Sequence, residues 1–136
     1  MKKQVVKIQP PLYSSTVSAG FPSPAEDLID RKLDLNEFVV QHPNSTFFVK
    51  VAGDSMIGAG ILDGDILVVD RSLNAKNQDI ILAIIEGEFT VKRLAKSSTG
   101  VALVPENSNY KPIKIDENSD FEVWGVVTSI IRKLSG

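Results

Sequence analysis

The sequence predicts a mainly β protein: one folded β-sheet or barrel domain over residues 46–136, preceded over residues 1–45 by a flexible N-terminal arm and a short helix. Three observations carry this expectation. From Thr46 onward about seven short runs rich in β-branched and aromatic residues are separated by turn residues, the close spacing of an all-β domain. Prolines at 10, 11, 22 and 24 punctuate the first 25 residues. Between these regions stands a single helix-start signature, and there is no internal repeat, low-complexity tract or helix-turn-helix pattern.

In the arm, each proline fixes φ and removes an N–H, so neither a stable helix nor a central strand can form there. The segment is expected to be extended. Ser23 then offers an N-cap, Pro24 the first helical position and Glu26 the acidic residue three after the cap, which predicts a short helix near 24–30. The strands follow as "TFFVKVAG", "DILVVD", "DIILAIIEG", "EFTVKRLA", "GVALVPE", "YKPIKI" and "FEVWGVVTSIIRKL". Asp63-Gly64 and Glu86-Gly87 are natural tight turns between them. The run "IILAII" has no polar residue, as expected of a strand covered on both faces.

A chain of 136 residues can bury a genuine core without metals or disulfides, and it has no cysteine to build either with thiolates. Fifteen basic against 17 acidic side chains leave a formal charge of −2, so affinity driven by phosphate neutralisation is not expected. A single histidine, His42, excludes multi-histidine zinc sites; beside Pro43 and Asn44 it is expected in a loop, without a role. The start "MKKQVVKIQPPLYSST" lacks the apolar run of a secretory signal, and no stretch approaches the ~20 apolar residues of a membrane span. The chain reads as soluble and unexported.

Two stretches attract attention. Val17-x-Ala19 followed by Gly20 has the small-residue pattern of a protease cleavage site, although no export signal precedes it. "VAGDSMIGAGILDGD" places Ser55 just beyond a strand end, among glycines 53, 58 and 60 that permit unusual backbone conformations, with amides free to face a carbonyl. On spacing alone an ordinary Asp-Ser turn is the commoner reading. A serine nucleophile needs a base, and with one histidine the remaining type is a lysine deprotonated by burial. Lys92 fits: strand alternation puts Thr90, Lys92 and Leu94 on one face, and the turn at Glu86-Gly87 folds the apolar strand against it. The commoner fate of a strand lysine is exposure. Asp63-Gly64-Asp65 lacks further spaced ligands for a calcium loop and reads as a turn, and Trp124 reads as core.

With Ala19-Gly20, Gly53-Asp54-Ser55-Met56 and Thr90-Val91-Lys92-Arg93-Leu94 in that order, the chain resembles the LexA/UmuD family of self-cleaving Ser-Lys peptidases. The resemblance extends from about Pro11 to the C-terminus through "AGFPSPAEDLID", "KLDLNEF", "GDSMIGAGILDGDILVVDRSL" and "FTVKRL". It implies a LexA-like β domain, Ser55 as nucleophile, Lys92 as general base, the backbone amides of Asp54 and Ser55 as oxyanion hole, and Ala19-Gly20 in the chain's own arm as the scissile bond. It implies no cofactor and no metal. It further implies a homodimer in the bacterial cytoplasm, cleavage stimulated by a RecA filament on single-stranded DNA, and a shortened product that joins a UmuC-type polymerase in translesion synthesis during the SOS response. Sequence-specific nucleic-acid binding and membrane association are not implied. At one place the chain departs from the family: Asn77-Gln78-Asp79-Ile80 stand where a glycine often precedes Asp-Ile, and Asn77 is expected to supply the turn. Two other readings stay open, a non-enzymatic interaction module with the arm as docking peptide, and a peptidase that cuts a relative in trans.

Overall fold

The computed structural model describes residues 9–13, 16–22 and 29–136. The chain divides into two compact units, Met1–Gln41 and His42–Gly136. In the first, strand β1 (Pro11–Tyr13) pairs antiparallel with β2 (Ile29–Lys32), with a bulge between Leu12 and Tyr13. A proline is tolerated there because a two-stranded ribbon leaves each strand a free edge. The Leu33 N–H donates to the Pro10 carbonyl at 2.7 Å and extends the pairing.

The helix expected near 24–30 is corrected at its end: residues 29 and 30 belong to β2, where pairing with β1 takes their backbone bonds, and residues 23–28 lie outside the described residues. A helix forms later, as α1 (Leu35–Val39). Asp34 caps it, its carboxylate accepting from the N–H groups of Asn36 and Glu37 at 3.0 and 3.3 Å. Residues 16–22 adopt no regular structure, and Val17 and Phe21 are 90% and 87% exposed.

The second unit is a seven-stranded antiparallel sheet of β3 (Thr46–Lys50), β4 (Ile66–Asp70), β5 (Ile80–Ile85), β6 (Glu88–Ser97), β7 (Gly100–Val104), β8 (Ile113–Ile115) and β9 (Phe121–Ile131). The spatial order is β3-β4-β9-β5-β6-β7-β8, so β9 is inserted between β4 and β5 and pairs antiparallel with both. Each of the seven runs read from the sequence forms one strand. The core lies in two clusters. Leu82 of β5 packs with Met56, Ile61, Leu67 and Val69, whereas Ile81 and Ala83 pack with Leu94, Leu103 and Val126. Strand β5 is therefore covered on both faces, which is why its sequence shows no polar alternation.

Turn chemistry fixes the connections. Glu86 and Gly87 have φ of 49° and 79°, both left-handed, as the two-residue β5–β6 hairpin requires. The β5–β9 ladder is irregular beside Gly125 and the β4–β9 ladder at Thr128; at Gly125 a Cβ would lie 2.6 Å from the Val69 side chain, so only glycine admits that approach. Before β5 the left-handed residue is Gln78, with φ of 78°, and not Asn77. Asn77 instead accepts from the Lys96 N–H through its side chain at 2.7 Å, while the Gln78 N–H donates to the Leu94 carbonyl at 2.7 Å. Those bonds hold the loop shape that the missing glycine would have eased.

Two carboxylates are buried at the start and end of β4. Asp65 accepts two bonds from Arg132, each 2.6 Å, and one from the Leu62 N–H at 2.7 Å. Asp70 accepts from Ser72, from Ser45 and, at 2.5 Å, from His42 Nδ1. His42 thus has a structural partner that its loop sequence did not reveal. Burial pushes the Asp70 carboxyl up, but the hydrogen bonds from Ser72, His42 and Ser45 outweigh it and hold the group below the usual carboxylate range.

Candidate active site

The site is built where β3 ends. The Val51 N–H donates to the Asp65 carbonyl at 2.8 Å and the Val51 carbonyl accepts from the Gly64 N–H at 2.7 Å, which anchors the strand end to the turn before β4. Gly53, with φ of 92°, then redirects the chain, and its N–H donates to the Asp63 carboxylate at 2.8 Å. Asp63-Gly64-Asp65 is therefore a turn whose acids are engaged by protein donors. Ser55 follows, and Met56 beside it is buried in the core, so the serine turn has a fixed root. Of the three glycines singled out, Gly53 and Gly60 do adopt positive φ, whereas Gly58 serves close approach: a Cβ there would lie 2.6 Å from the Glu106 carbonyl oxygen.

Strand β6 brings Lys92 to the same place. Its Nζ lies 3.2 Å from Ser55 Oγ, 2.7 Å from Thr90 Oγ1 and 3.1 Å from the Val91 carbonyl oxygen. Thr90 and Lys92 share a side of the strand, as alternation predicts. Lys92 has no ion-pair partner among the described residues, and burial lowers its pKa below the ordinary lysine value of 10.5. A neutral amine has two N–H groups and one lone pair. In that form, with Thr90 Oγ1 and the Val91 carbonyl accepting the two N–H groups, the lone pair would be free to accept from the Ser55 hydroxyl.

Ser55 and Lys92 open onto a cleft of about 420 Å³ whose apolar walls include Phe47, Val49, Leu82, Phe89 and Trp124. Trp124 is thus not simply core. It is partly buried, its ring meets Phe89 edge-on at 5.8 Å, and the Arg71 guanidinium lies 3.6 Å above it. Backbone N–H groups of Asp54 and Ser55 donate to no acceptor among the described residues. A carbonyl oxygen entering beside Ser55 could use them.

Residues 105–110 brace the same turn from outside. The Glu106 N–H donates to the Ser55 carbonyl at 2.8 Å, Asn107 Nδ2 to the Asp54 carbonyl at 3.0 Å, and the Tyr110 hydroxyl to the Asp54 carboxylate at 2.6 Å. That hydrogen bond and the charge of Asp54 raise the Tyr110 pKa. In sequence "ENSNY" is only loop composition, and nothing local connects it to a serine some fifty residues earlier. The Ala19-Gly20 pair sits in an exposed bend of the first unit, and Gly20 has open space where a Cβ would stand. No group of three or more His, Cys, Asp or Glu among the described residues could hold a metal ion, and no helix there is long and apolar enough to cross a membrane.

Residues 11–128 match the family model described as Peptidase S24-like. Among curated proteins, Protein MucA of Salmonella typhimurium is 47% identical over 119 residues, which cover 87% of this chain and 81% of MucA. Protein SamA of Salmonella typhimurium strain LT2 is 40% identical over 132 residues, covering 97% and 91%. The LexA repressor of Clostridium perfringens strain SM101 is 41% identical over 116 residues, covering 85% of this chain and 56% of the repressor.

Proposed function

Since the chain belongs to the Peptidase S24-like family, as a UmuD-like member, we propose that it is a serine peptidase that cuts its own arm between Ala19 and Gly20. Ser55 is the nucleophile and Lys92 the general base. One observation above all supports this reading: a serine hydroxyl 3.2 Å from an amine whose pKa is lowered by burial and whose N–H groups have acceptors in Thr90 Oγ1 and the Val91 carbonyl. Such an amine can be neutral and can take a proton.

The reaction is acyl transfer in two stages. Neutral Lys92 accepts the Ser55 proton as Oγ attacks the Ala19 carbonyl carbon. The developing oxyanion is met by the amides of Asp54 and Ser55. As the Ala19–Gly20 bond breaks, Lys92 returns its proton to the departing Gly20 amine and an ester joins Ala19 to Ser55. Water, deprotonated by Lys92, then attacks the ester; as the ester bond breaks, Lys92 returns the proton to Ser55 Oγ and the Ala19 carboxylate is released.

In this reading residues 1–45 are the arm that supplies the bond and residues 46–136 the peptidase domain. The arm must occupy the cleft before chemistry begins, and an activator that favours that state raises the rate without adding a catalytic group. A RecA filament on single-stranded DNA is proposed to act so, on a homodimer in the bacterial cytoplasm. The shortened product then serves a UmuC-type polymerase in translesion synthesis.

The test is intact mass after incubation at pH about 10, near the reference pKa of lysine, where the base needs no activator. Parent protein is expected to yield fragments 1–19 and 20–136, whereas Ser55→Ala and Lys92→Ala stay whole. A parent that stays whole there, and with an activated filament at neutral pH, would overturn the proposal. Active protein mixed with Ser55→Ala separates cutting within one chain from cutting in trans, because only the latter cleaves the variant.

A further inference from the structure

Ser55 and Lys92 reach each other from distant places in the sheet. Ser55 follows β3 and Lys92 lies on β6, and β4, β9 and β5 stand between those strands in the hydrogen-bonded order. Any drift along that path would change the gap between nucleophile and base. A shorter connection exists through Glu106, between β7 and β8. Its N–H donates to the Ser55 carbonyl and its carbonyl accepts from the Gly58 N–H, both at 2.8 Å, so its main chain grips the nucleophile turn on both sides of Met56. The closeness of this grip explains Gly58, where no side chain fits. The Glu106 carboxylate pairs with Arg93 Nε, and Arg93 is the neighbour of Lys92 in β6. Arg93 is held in turn by donating to the Gln78 carbonyl at 2.6 Å. Both partners are largely shielded, 26% and 30% exposed, so the ion pair is less screened than one in open water.

We propose that Glu106 is the positioning residue that sets the distance between Ser55 and Lys92, holding the nucleophile turn by its main chain and strand β6 by its side chain. The inference rests on the Ser-Lys reading above. Glu106 touches no reacting atom. It acts on placement, and an error of about 1 Å in placement can cost on the order of a hundredfold in rate.

The experiment compares self-cleavage of the full chain with that of Glu106→Gln and of the charge swap Arg93→Glu/Glu106→Arg, across pH up to about 10, near the reference lysine pKa, so that a shifted pH midpoint is told apart from a lowered rate. Glu106→Gln keeps the backbone bonds and loses only the ion pair. Its rate at the alkaline end is expected to fall about tenfold or more, without a matching loss of folded protein by circular dichroism, and the swap is expected to restore most of it. Parental rates in Glu106→Gln at every pH would overturn the inference while leaving the Ser-Lys reading intact. A rate loss that only follows lost folded fraction, with no recovery in the swap, would also overturn it. If the parent itself is uncut, the Ser-Lys reading is what fails. Should Glu106→Gln not fold, Arg93→Gln breaks the same pair from the other side and carries the same expectation.

Discussion

Lys92 is tuned by burial and not by a neighbouring charge, and that decides how the proposed self-cleavage should respond to pH. The protonated amine cannot act as base, so the rate should rise with pH as Lys92 loses its proton. Because the pKa lies below 10.5, the midpoint of that rise should fall below the ordinary lysine value when cleavage is followed by mass or gel. A midpoint at or above that value would show that the lysine is not the buried base. At this scale the sequence displayed the proposed nucleophile and base because their chemistry would be carried by side-chain type: one serine among glycines and one lysine beside an apolar strand. It concealed residues that work through main-chain atoms or through distant partners. Glu106 holds Ser55 by backbone bonds that any residue type could make, and His42 meets Asp70 across 28 positions. Trp124 looked like core because a large aromatic ring usually is, and it does pack against the core, yet it also forms a wall of the cleft.

Among the elements, the seven strands were legible because each is a short apolar run closed by turn residues, and β5 betrayed its double burial by having no polar position. The helix expected near 24–30 cannot run to its predicted end, because cap residues advertise a start and say nothing of where pairing in a ribbon, here from Ile29, takes the backbone bonds. The turn before β5 gives a sharper test. Gln78 holds a left-handed conformation at φ of 78°, which costs a residue with a Cβ roughly 1–2 kcal/mol. Its N–H and carbonyl make the loop's bonds, and glycine keeps both. Gln78→Gly should therefore stabilise the fold by about 0.5–1 kcal/mol, after allowing for the extra freedom glycine gives the unfolded chain. Chemical denaturation reads this directly, and a lower midpoint in the variant would show that the side chain contributes more than its backbone strain removes.

For the domain as a whole, buried carboxylates link folding to pH. The bond from Arg132, with that from the Leu62 N–H, lowers the Asp65 pKa from 3.8 to about 2 against the opposing effect of burial. A folded-state pKa below the unfolded one means that the native state binds fewer protons, so this stabilisation is complete above the unfolded value and is lost as pH falls toward 2. Melting temperature should drop between those limits, and Asp65→Asn should melt lower at neutral pH with a shallower acid decline. An unchanged acid limb in the variant would move the responsibility to Asp70. The insertion of β9 between β4 and β5 has a consequence of another kind. Strands β3 and β4, which carry the serine, share no backbone ladder with β5 to β8, which carry the lysine, until β9 lies between them. A chain still emerging from the ribosome holds both residues but lacks the piece that joins their halves of the sheet. The order of the strands thus works as a timer: the sheet that brings Ser55 and Lys92 together is complete only once residues 121–131 have been synthesised, so the proposed self-cleavage is expected of the finished chain and not of a nascent one.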